Sequence, residues 1–533
     1  HRDFWRDFWN RTAPIRIAST DGSGEYLENL RNLYLFVAAI EKGVEFPGSQ
    51  AGIADMISSA RDEHRWDPSA FWHWNLRMQV AANLGAGLAD LNAPYFSLYR
   101  ENLDRIEKWT RENANGLPGA CVPETMRFNG QGIEYESSWT PIVMGRNCDL
   151  AFKPYYNART LTTGAEVSLW IWEQYLATND RVFLEKNYPV MASSARFLLA
   201  YQKPGADGLL HTSPSNAHET QWDVTDPTTD ISAIAALYPA AIRAAELLGK
   251  DADLVHQMKL ALPRVLPLPR VQPSGPRTLA SSADETSVIA ESWQPAAEIH
   301  NVENIGLEPV WPYGLIGDTS PLFALARRTF ALRPNGAVVD WSFDPIQAAR
   351  LGLASEVAST LIASTGKYQG FPNGMAKWEP TAREFYVEQS AVAADALQEA
   401  LVQDYDGLIR IAPALPPGWD VDGAVYVRAG TRVDVQTRNG AVTTVVIEPA
   451  AAGVLRVRNP WPGRPVEVVT GAHGATVKQT PEAIIQFPAH AGERYLLRPA
   501  GAPALPFSAV SGTPASAPKR LGPVQLGLFA TAP

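Results

Sequence analysis

Cysteine is nearly missing: Cys121 and Cys148 are the two in 533 residues. They make no CxxC pair, so a cysteine-built zinc cage is excluded. A single disulfide, in an exported protein, and two free thiols both remain open. Charge is also sparse, at 19% of residues with a net charge of −10. No block of lysine and arginine supplies the basic footprint that phosphate backbones require, so nucleic acid is not an expected partner. No apolar run reaches the roughly 18 residues a bilayer span needs, so no membrane partner is expected either. Gly-rich phosphate loops, HExxH and nucleophile elbows are all missing, which removes the nucleotide-binding, zincin and serine-hydrolase readings. No cofactor and no metal site is assigned. The chain opens on His1, without Met or a secretion signal, and reads as a processed product or a fragment of something longer.

What the chain has in quantity is aromatic. Sixteen Trp, seventeen Tyr and eighteen Phe make up 10% of it. Flat rings pack on the C–H faces of sugars, and equally well in a large core. Composition alone does not separate the two.

Length argues for two domains, or one large domain with an appendage. From Asp3 to about Asp404 the apolar spacing is mainly helical. It predicts helices over 25–43, 71–87, 95–113, 165–180, 182–201, 230–249, 252–263, 314–331, 345–366 and 386–403. Ten to twelve helices are expected before residue 405. Long irregular segments at 44–70, 115–164, 203–229, 267–312 and 367–385 separate them, and loops that long are usually functional. A helical scaffold with long decorated loops describes a cup. After residue 405 the pattern changes to short alternating segments, with Asn439-Gly440 as a hairpin signal. The expected organisation is a helical domain over 1–404, a small antiparallel β-sandwich domain over 405–500, and an Ala/Pro-rich tail over 501–533.

Three stretches carry candidate chemistry. FWHWNLRMQ (71–79) sets Trp72, His73 and Trp74 beside Asn75 and Arg77. Asn75 could orient water or a sugar hydroxyl, and Arg77 could meet a hydroxyl or a carboxylate. The bland reading is polar bracing of the next loop. HTSPSNAHETQWD (211–223) places Glu219 near His218, Asn216 and Trp222, ahead of a helix with Asp226 as N-cap and Pro227 in its first position. A carboxyl flanked by a large ring can hold its proton for a leaving group. In REFYVEQSAVAADALQEALVQ (383–403), Glu388 lies near a helix start, where the dipole favours the ionised form. Ordinary loop and capping roles explain either glutamate as simply.

Taken in order, these stretches resemble the catalytic domain of glycoside hydrolase family 95, over roughly residues 4–448. HWNLRMQ resembles the family's H-x-N-x-N-x-Q segment, whose asparagines hold the attacking water. Asn75 matches the first, and Arg77 stands in place of the second. SPSNAHE resembles the loop carrying the general acid, with Glu219 the best match. FYVEQS resembles the segment carrying the acidic partner of that water, with Glu388 in place of the usual Asp. LIRIAPALPPGWDVDGAVYVRAG resembles the junction into the β domain. HNVENIGLEPVWPYG stands where the family has a histidine-rich, sugar-holding segment, and here keeps His300 beside Asn301, Glu303 and Asn304.

The resemblance implies an (α/α)6 barrel, or helical toroid, followed by the small β domain. It also implies an N-terminal β-sandwich that this chain lacks. It implies inverting, exo-acting removal of a terminal sugar from an oligo- or polysaccharide. Glu219 would be the acid, and Glu388 with Asn75 would activate water. Trp66, Trp72, His73, Trp74, Arg77, Trp222, His300 and Asn301 are the expected substrate contacts. Two other functions remain open: a polysaccharide lyase using Tyr135 or Tyr386 with His73 and Arg77, and a non-catalytic glycan-binding protein. A periplasmic or extracellular location is expected.

Overall fold

Helix Glu388–Leu401 shows how the helical part is built. Its sequence, EQSAVAADALQEAL, is buried along almost its whole length. Alanines at five positions let neighbours approach from every side, and a helix enclosed all round is an interior helix. It packs on helices His73–Gly85, Ser23–Ile40 and Asp344–Arg350. Helix Thr163–Thr178 is enclosed in the same way by Arg181–Tyr201 and Thr228–Leu248. The structure, a computed structural model, describes residues 1–40, 43–48, 70–132, 135–136, 143–144, 147–151, 157–336, 339, 341–369, 375–377, 386–471, 474–503, 519–521 and 524–526. Thirteen α-helices occur among the described residues.

Local signals set many helix boundaries. Asn179 ends Thr163–Thr178 in a left-handed conformation, and the Asp180 side chain then accepts from the Phe183 N–H to start the next helix. Other boundaries differ from those predicted. The stretch 95–113 forms two helices, Ala93–Arg100 and Leu103–Asn113. The stretch 345–366 breaks at Gly352, whose φ of +67° leaves the helical region, into Asp344–Arg350 and Ala354–Tyr368. The stretch 314–331 becomes helical only at Phe323. The helix after the Glu219 stretch begins at Thr228 with Pro227 as its N-cap. Asp226 is one residue too early to cap it and accepts instead from His211 and the Thr212 N–H.

Helix Thr228–Leu248 is, by length and composition, apolar enough to cross a membrane, against the expectation that no stretch would qualify. Most of it is buried against neighbouring helices, as in an interior helix of a helical core.

The C-terminal part is a curled antiparallel sheet of seven strands. Their order is Ile15–Ser19, Trp419–Val427, Thr431–Arg438, Ala441–Glu448, Tyr495–Pro499, Val466–Thr470 and Thr476–Thr480. Asn439 and Gly440, both at positive φ, make the tight turn between the third and fourth. The first strand comes from the helical half, so residues 15–19 tie the two parts together. A separate ribbon pairs Gly453–Arg458 with Ile484–Ala489. The tail beyond residue 503 is described only at 519–521 and 524–526, as a two-stranded hairpin. Cys121 and Cys148 form a disulfide, which resolves the choice left open above.

Candidate active site

Two interior helices bring the candidate base and its amide together. Asn75 lies in the first turn of His73–Gly85, and Glu388 is the first residue of Glu388–Leu401. The helices pack side by side, and Asn75 Nδ2 donates to Glu388 Oε1. Glu388 is fully buried at a helix N-terminus, where the peptide dipoles favour a carboxylate.

Glu219 arrives from another direction. Strands Ser215–Ala217 and Gln221–Val224 form a hairpin, with His218, Glu219 and Thr220 at its tip. His218 takes a positive φ to make that turn. Its ring meets the Trp74 ring edge-on, with centroids 3.8 Å apart. Trp74 precedes Asn75 and His218 precedes Glu219, so this contact brings the hairpin tip to the end of the helix that carries Asn75. Asn301 Nδ2 donates to Glu219 Oε2 at 2.6 Å. Trp222 Nε1 donates to the Glu219 carbonyl at 2.8 Å, and the Trp222 ring stacks on His300 at 3.7 Å. The 300–301 segment and Trp222 thus both lie against Glu219.

Several expected contacts lie beneath the site instead. Arg77 is 1% exposed. Its Nη1 donates to Glu166 Oε2 at 2.7 Å, and its guanidinium lies 3.8 Å from the Trp74 ring and 4.5 Å from Phe343. A desolvated guanidinium needs a counter-charge, and Glu166 with the ring faces supplies it here. His73 is equally buried, with Nε2 3.0 Å from the Tyr95 hydroxyl. Burial drives its imidazole well below the usual range, with Arg77 and His218 adding to the effect. Trp72 is buried in a short strand paired with Thr125–Arg127. Neither His73 nor Arg77 is placed on an open wall, as the lyase reading asks. Trp66 and the side chain of Tyr135 lie outside the described residues.

Four carboxyls complete the surroundings, and none was assigned a role from sequence. Glu124 accepts from the Trp74 N–H and from Asn157 Nδ2. Burial pushes Glu124 and Glu166 up, with Arg77 opposing in both cases. Glu308 Oε1 lies 2.9 Å from His218 Nε2. Glu303 accepts from the residues at the hairpin tip. A signal for two of them was present: Glu166 in AEVSLWIW and Glu308 in IGLEPVW interrupt apolar runs that a solvated acid would avoid.

Residues 34–276 match the model of the Glycosyl hydrolase family 95 catalytic domain, a range that holds Asn75 and Glu219 but ends before Glu388. Over 241 residues the chain is 31% identical to Alpha-L-fucosidase 2 of Arabidopsis thaliana, covering 43% of this chain and 26% of that protein. The chain therefore spans about a quarter of the length of that relative. Among solved structures, a putative kojibiose phosphorylase from human microbiome aligns with a TM-score of 0.55 at 10% identity, over 92% of this chain and 64% of that one. That likeness concerns fold alone. An alpha-L-rhamnosidase of Streptomyces avermitilis, complexed with L-rhamnose, aligns at TM-score 0.47 and 14% identity, over 91% of this chain and 42% of that one. The matched domain and the matched relative both belong to the glycoside hydrolases. Over residues 34–276 the chain is similar to family 95.

Proposed function

We propose that the chain hydrolyses a glycosidic bond by single displacement, releasing a terminal sugar from an oligo- or polysaccharide with inversion. The observation that carries this reading is the pairing of Asn75 with Glu388 at two adjoining helix starts, with the Glu219 hairpin held to the same end through Trp74 and His218. Glu219 protonates the departing oxygen. Glu388 draws a proton from water on the opposite face of the ring, and the Asn75 amide orients its carboxylate. Inversion asks the two carboxyls to stand about 6.5–9.5 Å apart, leaving room for that water.

The rest of the proposal concerns organisation. The helices over 1–404 close as an (α/α)6 barrel, residues 405–500 form a small sandwich-like β domain, and 501–533 are a tail. In the complete protein an N-terminal β-sandwich precedes the barrel. The Cys121–Cys148 disulfide favours an oxidising compartment, periplasmic or extracellular.

A mass-read screen against plant and bacterial oligosaccharides tests the activity. One sugar unit lost per turnover supports exo action. Proton NMR of the first-formed anomer then decides the stereochemistry: inversion is expected, and initial release of the retained anomer overturns single displacement.

A further inference from the structure

The segment after His300 touches Glu219 at two levels. Asn301 reaches its side chain. Glu303, 5% exposed, reaches its backbone: Oε2 accepts from the Glu219 N–H at 3.2 Å and from Thr220 Oγ1 at 2.6 Å. The same carboxyl lines a small cavity shared with Trp74, Trp341 and Phe343. Its other oxygen takes no hydrogen bond among the described residues. A carboxyl in the same segment, Glu308, adds negative charge, and Arg77 is the cation opposing it.

We propose that Glu303 is a positioning residue for the reaction assigned to Glu219, fixing the hairpin tip through Oε2 and standing there as the second carboxyl of a pair that shares a proton with Glu219. This rests on the reading of Glu219 as the acid. Two carboxyls at one hairpin tip resist double ionisation, so their protons leave in two steps that belong to the pair. Burial first, and then the charge of Glu219, push Glu303 well above the usual carboxylate range. The last proton of the pair is therefore lost late. A general acid needs a proton at the working pH; the pair as a whole keeps one, shared between Glu303 and Glu219, and Glu219 is the member that passes it to the departing oxygen.

Two variants move the pair in opposite directions. Glu303→Gln removes the like charge, so the remaining carboxyl ionises earlier. The alkaline limb of kcat/KM should fall by about one pH unit, the scale at which such pairs couple, while kcat at the optimum is largely kept. Thr220→Val removes a hydrogen bond that favours ionised Glu303, so the limb should move up. Activity is read on the oligosaccharide turned over in the product screen. Infrared titration of the protein alone reads the same pair through the protonated-carboxyl stretch, as wild-type-minus-variant difference spectra. A carboxyl band that persists in the wild type above the range where ordinary carboxylates ionise should be missing from Glu303→Gln and should persist to higher pH in Thr220→Val. An infrared titration that neither variant shifts overturns the proposal, whatever the activity shows. If Glu219→Gln keeps full turnover, the assignment of the acid fails instead, and the infrared result stands apart from it. Should Glu303→Gln not fold, the upward shift in Thr220→Val decides.

Discussion

Helices His73–Gly85 and Glu388–Leu401 bury charge at both ends, and the two ends treat it differently. At their starts, Glu388 is held by the Asn75 amide and Glu219 by the Asn301 amide, each from an uncharged donor. At their far ends, a cavity of 140 Å³ opens between the helices and strand Trp419–Val427, lined by Glu173, Asp395, Glu399, Asp404, Arg350 and Arg428. There the acids have cations. Arg350 Nη2 donates to Glu399 Oε1 at 2.8 Å, and the charge of Arg428 acts on Asp404, whose Oδ2 also accepts from the Arg428 backbone N–H at 3.0 Å. Burial pushes Asp395 well up, with Glu399 adding, and pushes Glu173 up against the pull of Arg428 and Arg350. Displaced carboxyls thus occur at both ends of one helix pair. At the first end Glu388 and Glu219 each accept from a side-chain amide, with the Arg77–Glu166 ion pair buried alongside. At the second end two arginines stand among four acids, an arrangement that braces the helices against the sheet.

The sharpest break between the ends is catalytic. Glu219→Gln and Glu388→Gln should each lower turnover by about 10²–10⁴. Asp395→Asn, two turns along the same helix, should leave the rate per folded molecule near wild type. Equal losses at all three would erase the distinction.

The next effect is on stability, with the roles reversed. Burial alone would pull the Arg350 guanidinium down, and Glu399 and Asp395 more than offset it. Arg350→Met strips those acids of their cation and should cost about 3–5 kcal/mol, the usual loss on breaking a buried pair, read by urea unfolding. Folded variant should keep its turnover.

The smallest effect is the pH dependence of stability. Burial raises Asp230, beneath the hairpin, to about 7, and Asp404, at the far end, to about 6. A carboxyl raised in the folded state stays neutral there while its unfolded counterpart ionises, so stability is full below the unfolded value near 3.8 and falls as pH rises. Asp230→Asn should therefore gain on wild type in Tm from about pH 4 until about pH 7. Asp404→Asn should level off about one unit earlier. Parallel curves would show that the two sites do not differ in this way.

Much of the scaffold could be read from local spacing. Helices Ser23–Ile40, Arg181–Tyr201 and Thr228–Leu248 lie within a few residues of the predicted ranges, because a helix face is written within one or two turns. The Asn439-Gly440 turn was legible for the same reason. The breaks at Gly352 and Asn102 were not, since apolar spacing continues across them. In the site, Asn75, Glu219 and Glu388 could be named from the family resemblance. Glu303 could not be given a role, because its partners lie 83 and 84 residues away. His73 and Arg77 looked like crater residues beside Trp74, yet helical geometry turns them inward, to Tyr95 and Glu166.

The sequence by itself determined a mainly helical chain, a β-rich C-terminal part and a glycoside hydrolase signature. Those properties rest on short-range periodicity, turn chemistry and motif order. Only the tertiary structure decided that Asn75 meets Glu388 across 313 residues, that Glu303 braces Glu219, and that Arg77 lies beneath the site. The physical reason is that such contacts follow from how interior helices and hairpins pack, and no local stretch of chain encodes that packing.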